Sequence, residues 1–359
     1  MKCYTQTTSK VGSCQGVALN LSQAEPTTKQ LNLNELGDAG GLKFNGLRRW
    51  QKSTFEVVWV YSLLLVTLLC FIGSLTHLDR IFFKRNAGFC VRFLYTNLPN
   101  NPEWNLAPLS EEQRSVLDLI LNQKFHYLAK GAHCFAFISE DNNYVIKFQR
   151  YASHMRVFPW LNHPLGYLFD AKRMQIKKHN IEQLHHNFLS YKESYEHLKE
   201  ETGLLLLHLN RTSILKKTLT LVDKTQAEYT VPLDQVTFIL QRRADLIYPT
   251  LDKLYKAGDL EKGRQVISQI LHLIYTCCQK GYIDQDPVLR KNYGLLEDRA
   301  IHIDVGDLVK NEEVQSREQA LGHVKEITES LKKRLEHTYP KLLESYKEEI
   351  SDLGKNSLN

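Results

Sequence analysis

Four residues in GYIDQDPVLRKNYGLLEDRAIHIDVGDL, which runs from Gly281 to Leu308, are of types that handle cations and protons: Asp284, Asp286, Asn292 and Asp304. They surround a run that reads as a buried strand. Buried carboxylates are costly unless they are paired or bind a cation. Asp and Asn side chains offer hard oxygen ligands of the kind a divalent cation such as Mg²⁺ takes. An aspartate beside such a site can also accept a hydroxyl proton. A second stretch, LAKGAHCFAFISEDNNYVIKFQR (Leu128 to Arg150), has a small-residue turn containing Gly131 between two strand-like runs. Backbone N–H groups in such a turn can approach an anion closely. Lys147 stands between Ile146 and Phe148. Neighbours on a strand point to opposite faces. If Ile146 and Phe148 face a core, Lys147 faces a cleft, one strand away from the turn.

The surrounding chain predicts the elements that position these groups. Ser110 and Gln113 form a capping box, and the helix it opens carries Val116, Leu117, Ile120 and Leu121 on one side. KFHYLAKG, CFAFIS and YVIKFQR read as short strands, with a turn over residues 140–143. Residues 180–201 read as a long helix whose apolar stripe is Leu184, Phe188, Tyr191, Tyr195 and Leu198, ended by Gly203. LLLLHLN, TLTLVDK and VTFILQRR are further strands. Residues 260–280 are helical, with Gly281 as the residue that closes the helix. Beyond Lys310 come two charged amphipathic helices, broken near Pro340 and solvated on their charged faces. The fold class is α+β: a strand-rich half with one long helix, then a helical half. His302 reads as a packed strand residue. His185 and His186 are expected on an exposed helix face.

The chain has 359 residues, 43% hydrophobic and 24% charged, with formal net charge +6. That modest, dispersed excess points away from nucleic acid as a partner. The seven cysteines make no C-x-x-C pair and read as reduced thiols. Residues 1–45 are polar and aperiodic, as in a flexible tail. Val57–Leu75 is nineteen residues without a charge, long enough to span a bilayer core. Trp59 and Tyr61 sit near one end. Arg48, Arg49 and Lys52 precede it, and Arg80, Lys84 and Arg85 follow, so basic residues bracket both ends. Residues 76–109 read as a connector rich in Pro and Asn, and the folded domain is expected to start at about residue 110.

The motif order resembles the protein-kinase-like fold, over roughly residues 124–310. The hallmarks of that family are a glycine-rich loop, V-A-I-K, H-R-D-x-x-x-x-N and D-F-G. YVIKF looks like the lysine strand, DQD (Asp284–Asp286) stands where H-R-D would, Asn292 supplies the asparagine, and DVG (Asp304–Gly306) looks like D-F-G. The resemblance implies a two-lobed architecture: an N-lobe over 110–244 and a reduced helical C-lobe over 245–359. It implies ATP and Mg²⁺ as cofactors. Lys147 would contact the α- and β-phosphates beside the Gly131 turn. Asn292 and Asp304 would hold Mg²⁺. Asp286, or in its place Asp284, would be the base. Glu193 or Glu196 would pair with Lys147, and FILQRRA (Phe238–Ala244) would be the hinge strand that meets the adenine.

The departures are specific. Ala129 and Cys134 stand where glycine is usual. The step from Asp286 to Asn292 is one residue too long. The His and Arg of H-R-D are missing, and no A-P-E motif follows. The pattern is closer to compact small-molecule, lipid A core and HipA-like branches than to a regulated Ser/Thr kinase. Two readings follow: a membrane-anchored, ATP- and Mg²⁺-dependent phosphotransferase with a cytosolic C-terminal domain, its acceptor a protein, sugar or lipid; or a pseudokinase, a nucleotide-binding or interaction module without turnover. A structural membrane protein is a third. ATP supply is what puts the domain in the cytosol.

Overall fold

The computed structural model describes residues 44–96, 98–151 and 170–355. The polar tail expected over 1–45 lies outside these, save for its last two residues, as do Cys3 and Cys14. Two compact units divide after Ile72, the second running from Gly73 to Asn359. Helix α1 (Phe44–Arg85) runs through that division. Within Val57–Arg85 an 18-residue window has mean hydropathy 2.3 with none of it buried, so this helix is long and apolar enough to cross a membrane.

The second unit is α+β. Its largest sheet is strongly curled and has seven strands in the order β4-β7-β3-β2-β1-β5-β6. The strands are β1 (Phe125–Lys130), β2 (Cys134–Ser139), β3 (Tyr144–Gln149), β4 (Leu204–His208), β5 (Thr218–Val222), β6 (Glu228–Pro232) and β7 (Phe238–Arg242). β1 pairs with β5 in parallel, and the other neighbours are antiparallel. Helix α2 (Glu111–Leu121) opens with the expected reciprocal cap between Ser110 and Gln113. Helix α3 (Asp170–His197) is followed by the single turn α4 (Lys199–Thr202), which ends on Gly203 at φ +64°, a backbone setting that favours glycine.

The helical half begins with β8 (Asp245–Leu246), α5 (Ile247–Ala257) and α6 (Leu260–Gln279). Then come β9 (Tyr282–Asp284), α7 (Leu289–Asn292), the hairpin β10 (Tyr293–Leu296) and β11 (Arg299–His302), and β12 (Leu308–Lys310). β10 lies between β11 and β8, and β12 pairs with β9. Helices α8 (Arg317–Thr338) and α9 (Leu343–Lys355) close the unit, separated by a 3₁₀ turn at Pro340.

Two apolar cores follow from these faces. One lies under the sheet, where Phe135, Phe137, Ile146, Phe148, Phe238 and Leu240 are all buried. The other joins the stripe of α3 (Leu184, Phe188, Tyr191, Leu198) to α6, α8 and α9. The folded unit starts earlier than residue 110. Phe89 and Leu94 enter the sheet core, and Trp104 enters the helical one. Phe89 packs edge-on to Phe135 and Phe137, with centroids 5.2 Å away in each case. The same segment revises the expectation for His185. It is half-buried rather than exposed, and its Nδ1 accepts from the Trp104 indole N–H at 3.0 Å.

Candidate active site

Strand register decides where Lys147 points. Ile146 pairs with Phe137 and Leu240, and Phe148 with Phe135 and Phe238, so both fill the sheet core. Lys147, between them, pairs with Ala136 and Ile239 and projects from the other face. There it lines a cavity of about 590 Å³. Leu128, Ala129, Ala136 and Val145 form one wall of this cavity, and the chain from Gln241 to Leu246 forms another. The mostly apolar lining suits a flat aromatic group.

Across the cavity lies Ile303, the residue before Asp304. The Lys147 ammonium donates to the Ile303 carbonyl, a bond between residues 156 apart in the chain. The upstream lysine and the downstream Asp-Val-Gly segment therefore share one cleft. Helix α3 holds that segment from behind. The buried Ser190 hydroxyl lies 2.6 Å from the carbonyl oxygens of both Val305 and Leu308, and donates its one proton between them. A Cβ on Gly306 would come within 3.2 Å of the Tyr191 hydroxyl, so close helix packing explains a glycine there. Burial, together with the negative charge of Asp304, keeps the Tyr191 phenol protonated.

The four residues that open the sequence reading separate into two environments. Asp284 is buried. Its Oδ2 meets His302 Nε2 at 2.8 Å and accepts from the Tyr293 hydroxyl at 3.4 Å. Its Oδ1 accepts from the Asp286 backbone N–H at 2.9 Å. That arrangement makes Asp284 a brace for the loop rather than a group open to a ligand. Asp286 and Asp304 are exposed. Asn292 is buried, and its Nδ2 donates to the Asp286 carbonyl at 2.8 Å, which leaves the amide oxygen as its acceptor for a cation. Asp307, absent from the sequence reading, joins this group. Burial raises its pKa, and the charges of Asp304, Asp284 and Asp286 push in the same direction. Among the described residues no three His, Cys, Asp or Glu side chains converge as a ready metal-binding group.

The Gly131 turn is closed on itself. The Gly131 N–H donates to the Cys134 carbonyl at 2.9 Å, while the Arg150 guanidinium donates to the Gly131 and Ala132 carbonyls. Cys134 lies beneath the turn. Burial pushes its thiol up to about 11, Lys147 opposing and Asp304 reinforcing the shift, so it is a protonated wall group. Neither helix glutamate reaches Lys147. Glu193 accepts from the Tyr282 hydroxyl at 2.8 Å and lies 3.7 Å from His197, and Glu196 is exposed. Both are off the apolar stripe that turns α3 towards the cleft, and Ser190 and Tyr191 occupy that position.

Two further residues position the end of β7 and the chain after it. The buried Gln241 side chain donates to the Thr202 carbonyl at 2.5 Å and to the His302 carbonyl at 3.3 Å, tying β7 to β11. Gly294 lies so close to the chain after β7 that a Cβ would meet the Ala244 Cβ at 2.8 Å. A buried glutamine at a strand end was the signal for the first. For the second it was the glycine of Asn-Tyr-Gly. Compared with known proteins, the chain matches no family model and no curated sequence.

Proposed function

We propose that this chain is a membrane-anchored protein with a kinase-like, two-lobed domain that binds ATP with Mg²⁺ and transfers a phosphoryl group to a hydroxyl acceptor. The observation that carries the reading is the Lys147–Ile303 contact across the cavity, which joins a strand lysine to the residue before Asp304. The apolar walls would take the adenine, with the hinge backbone near Ala244 beside it. Lys147 would exchange the Ile303 carbonyl for phosphate oxygens. Asp286, exposed and held by the Asp284 brace, would orient the acceptor hydroxyl and take its proton.

The oxygen donors at the open end fit a hard cation in chemistry. The Asn292 amide oxygen and the Asp304 carboxylate would hold Mg²⁺, and the raised pKa of Asp307 is that of a carboxylate desolvated by burial and then crowded by like charges, the second of which a cation relieves. Bound Mg²⁺ would supply charge neutralisation at the phosphate oxygens. In the membrane-anchored reading the domain after Leu75 faces the cytosol, where ATP is available.

A second reading, nucleotide binding without turnover, draws on two observations. No carboxylate among the described residues pairs with Lys147, and the turn at Gly131 spends its amide within the hairpin. The two readings are separated by Mg-ATP binding and ATP turnover with the full chain in detergent or nanodiscs. Binding with turnover that Asp286→Ala abolishes supports the phosphotransferase. Binding with no turnover, unchanged by Asp286→Ala, supports the non-catalytic module. Absence of binding sinks both.

A further inference from the structure

Past the apolar part of α1, the chain reads THLDRIFFKRNAGFCVRF. It carries four basic residues, Arg80, Lys84, Arg85 and Arg92, against the single acid Asp79. All four basic side chains are exposed. None makes an ion pair among the described residues. Arg80 and Lys84 are one helical turn apart and share a face, and Arg85 adjoins them. The structure folds Arg92 back to the same end of the helix. Phe93 packs edge-on against Phe83 with centroids 6.0 Å apart, and the Arg92 guanidinium lies 5.5 Å from the Phe93 ring centre. Exposed Leu78 and Phe82 stand among these charges.

This end of the helix is fixed to the folded unit. The buried Asn86 amide donates to Asp223 Oδ2 at 2.7 Å, and its Oδ1 accepts from the Lys224 N–H at 3.2 Å. Asp223 is the carboxylate tied to this corner. It is buried and also accepts from Thr225, Ala227 and Tyr229, so its charge is already satisfied inside the protein. The Lys130 ammonium, at the β1 end of the Gly131 turn, comes within 3.0 Å of where a Cβ on Gly88 would sit. The basic collar and the turn over the cleft therefore adjoin each other.

We infer that Arg80, Lys84, Arg85 and Arg92 form a collar that binds anionic lipid headgroups, and so seats the β1–β2 edge of the cleft against the bilayer surface. The inference rests on the membrane-anchored reading. At 1.5 Å of rise per residue, Arg80 to Arg85 lie about 7–15 Å beyond Leu75, at headgroup depth if Val57–Leu75 spans the core. A basic cluster there is attracted to an anionic leaflet over about a screening length. Leu78 and Phe82 would insert between the headgroups as the apolar part of an interfacial face.

The test reconstitutes the full chain in phosphatidylcholine bilayers. Electron paramagnetic resonance then measures how strongly spin-labelled phosphatidylserine, compared with spin-labelled phosphatidylcholine, associates with the protein. Wild type is expected to prefer the anionic lipid several-fold, and 1 M NaCl, where screening falls to about 3 Å, should remove most of the preference. The combined Arg80→Gln, Lys84→Gln, Arg85→Gln, Arg92→Gln chain should lose most of it, while Arg48→Gln, Arg49→Gln, Lys52→Gln should retain it. Wild type without a preference, or a collar variant indistinguishable from wild type, overturns the inference. Alkaline carbonate extraction separates the two claims. Release of the chain overturns the anchor and the collar together, whereas a retained chain without lipid preference overturns the collar alone.

Discussion

Asp284, which ends β9, and Asp304, two residues past β11, belong to one 28-residue stretch, yet they face opposite ways. Asp284 points inward to His302 and Tyr293, and Asp304 points outward beside the Lys147 cleft. The inward face is a polar cluster inside an apolar core: its carboxylate is matched to partners, while the buried His302 Nδ1 has none among the described residues. The outward face, with Asp286, the Asn292 amide oxygen and Asp307, is crowded with like charge, which His133 offsets only in part at Asp307. The difference teaches how residue type and role diverge. The same carboxylate serves as scaffold where its lone pairs are filled and as candidate ligand where they are not.

The largest way to break this contrast is Asp284→Ala. Removing the carboxylate leaves His302, the Tyr293 hydroxyl and the Asp286 N–H without their partner, and at about 1–3 kcal/mol for each buried group left unpaired the loss should be about 3–5 kcal/mol in urea unfolding of the full chain in detergent. A loss near zero would mean the inward face is not a brace. Next, Gly294→Val should cost about 1–3 kcal/mol by overpacking against Ala244. It should also weaken nucleotide binding by displacing the hinge, whereas Asp284→Ala acts first on stability. Asp304→Asn sharpens the contrast from the other side. It should change stability by no more than about 0.5 kcal/mol, as for an exposed side chain, while reducing the Mg²⁺ dependence of nucleotide binding.

Asp307→Asn carries the smallest expected effect and a definite sign. The Asp307 carboxyl is raised by burial and by its acidic neighbours, so it holds its proton more tightly folded than unfolded. Its contribution to stability is present below the ordinary carboxylate range and is lost as pH rises through the raised folded value. At neutral pH the ionised group therefore destabilises. Asp307→Asn should raise the melting temperature slightly at pH 7 and leave it unchanged near pH 3. Added Mg²⁺ should produce a similar rise in the wild type and none in Asp304→Asn.

Much of the architecture was legible in residue patterns. β2 occupies the CFAFIS run, and the run between Asn292 and Asp304 that reads as one buried strand is the hairpin β10–β11. Alternation around Lys147 placed Ile146 and Phe148 in a core and the lysine in a cleft. β6 was missed because EYTVP is a half-exposed edge strand that ends in proline, with little apolar signal. Phe89, Leu94 and Trp104 were missed as core residues because they stand in a turn or in single 3₁₀ turns, too short to show a periodicity. The site was less legible than the fold. Local pattern put Asp286 first as the base with Asp284 in reserve, and the partners His302 and Tyr293 show why Asp284 is a brace. Ser190, Gln241 and Asp307 act through contacts across the fold, and no spacing rule announces those.

The central claim is that the outward face and the Lys147 cleft together form a nucleotide site that depends on a cation. Isothermal titration of the full chain with ATP, with and without Mg²⁺, on wild type and Asp304→Ala tests it most directly. The account predicts that Mg²⁺ tightens wild-type binding at least tenfold (about 1.4 kcal/mol) and that Asp304→Ala abolishes this gain while keeping the fold. Equal affinity with and without Mg²⁺ in the wild type, or the same gain in Asp304→Ala, would contradict it.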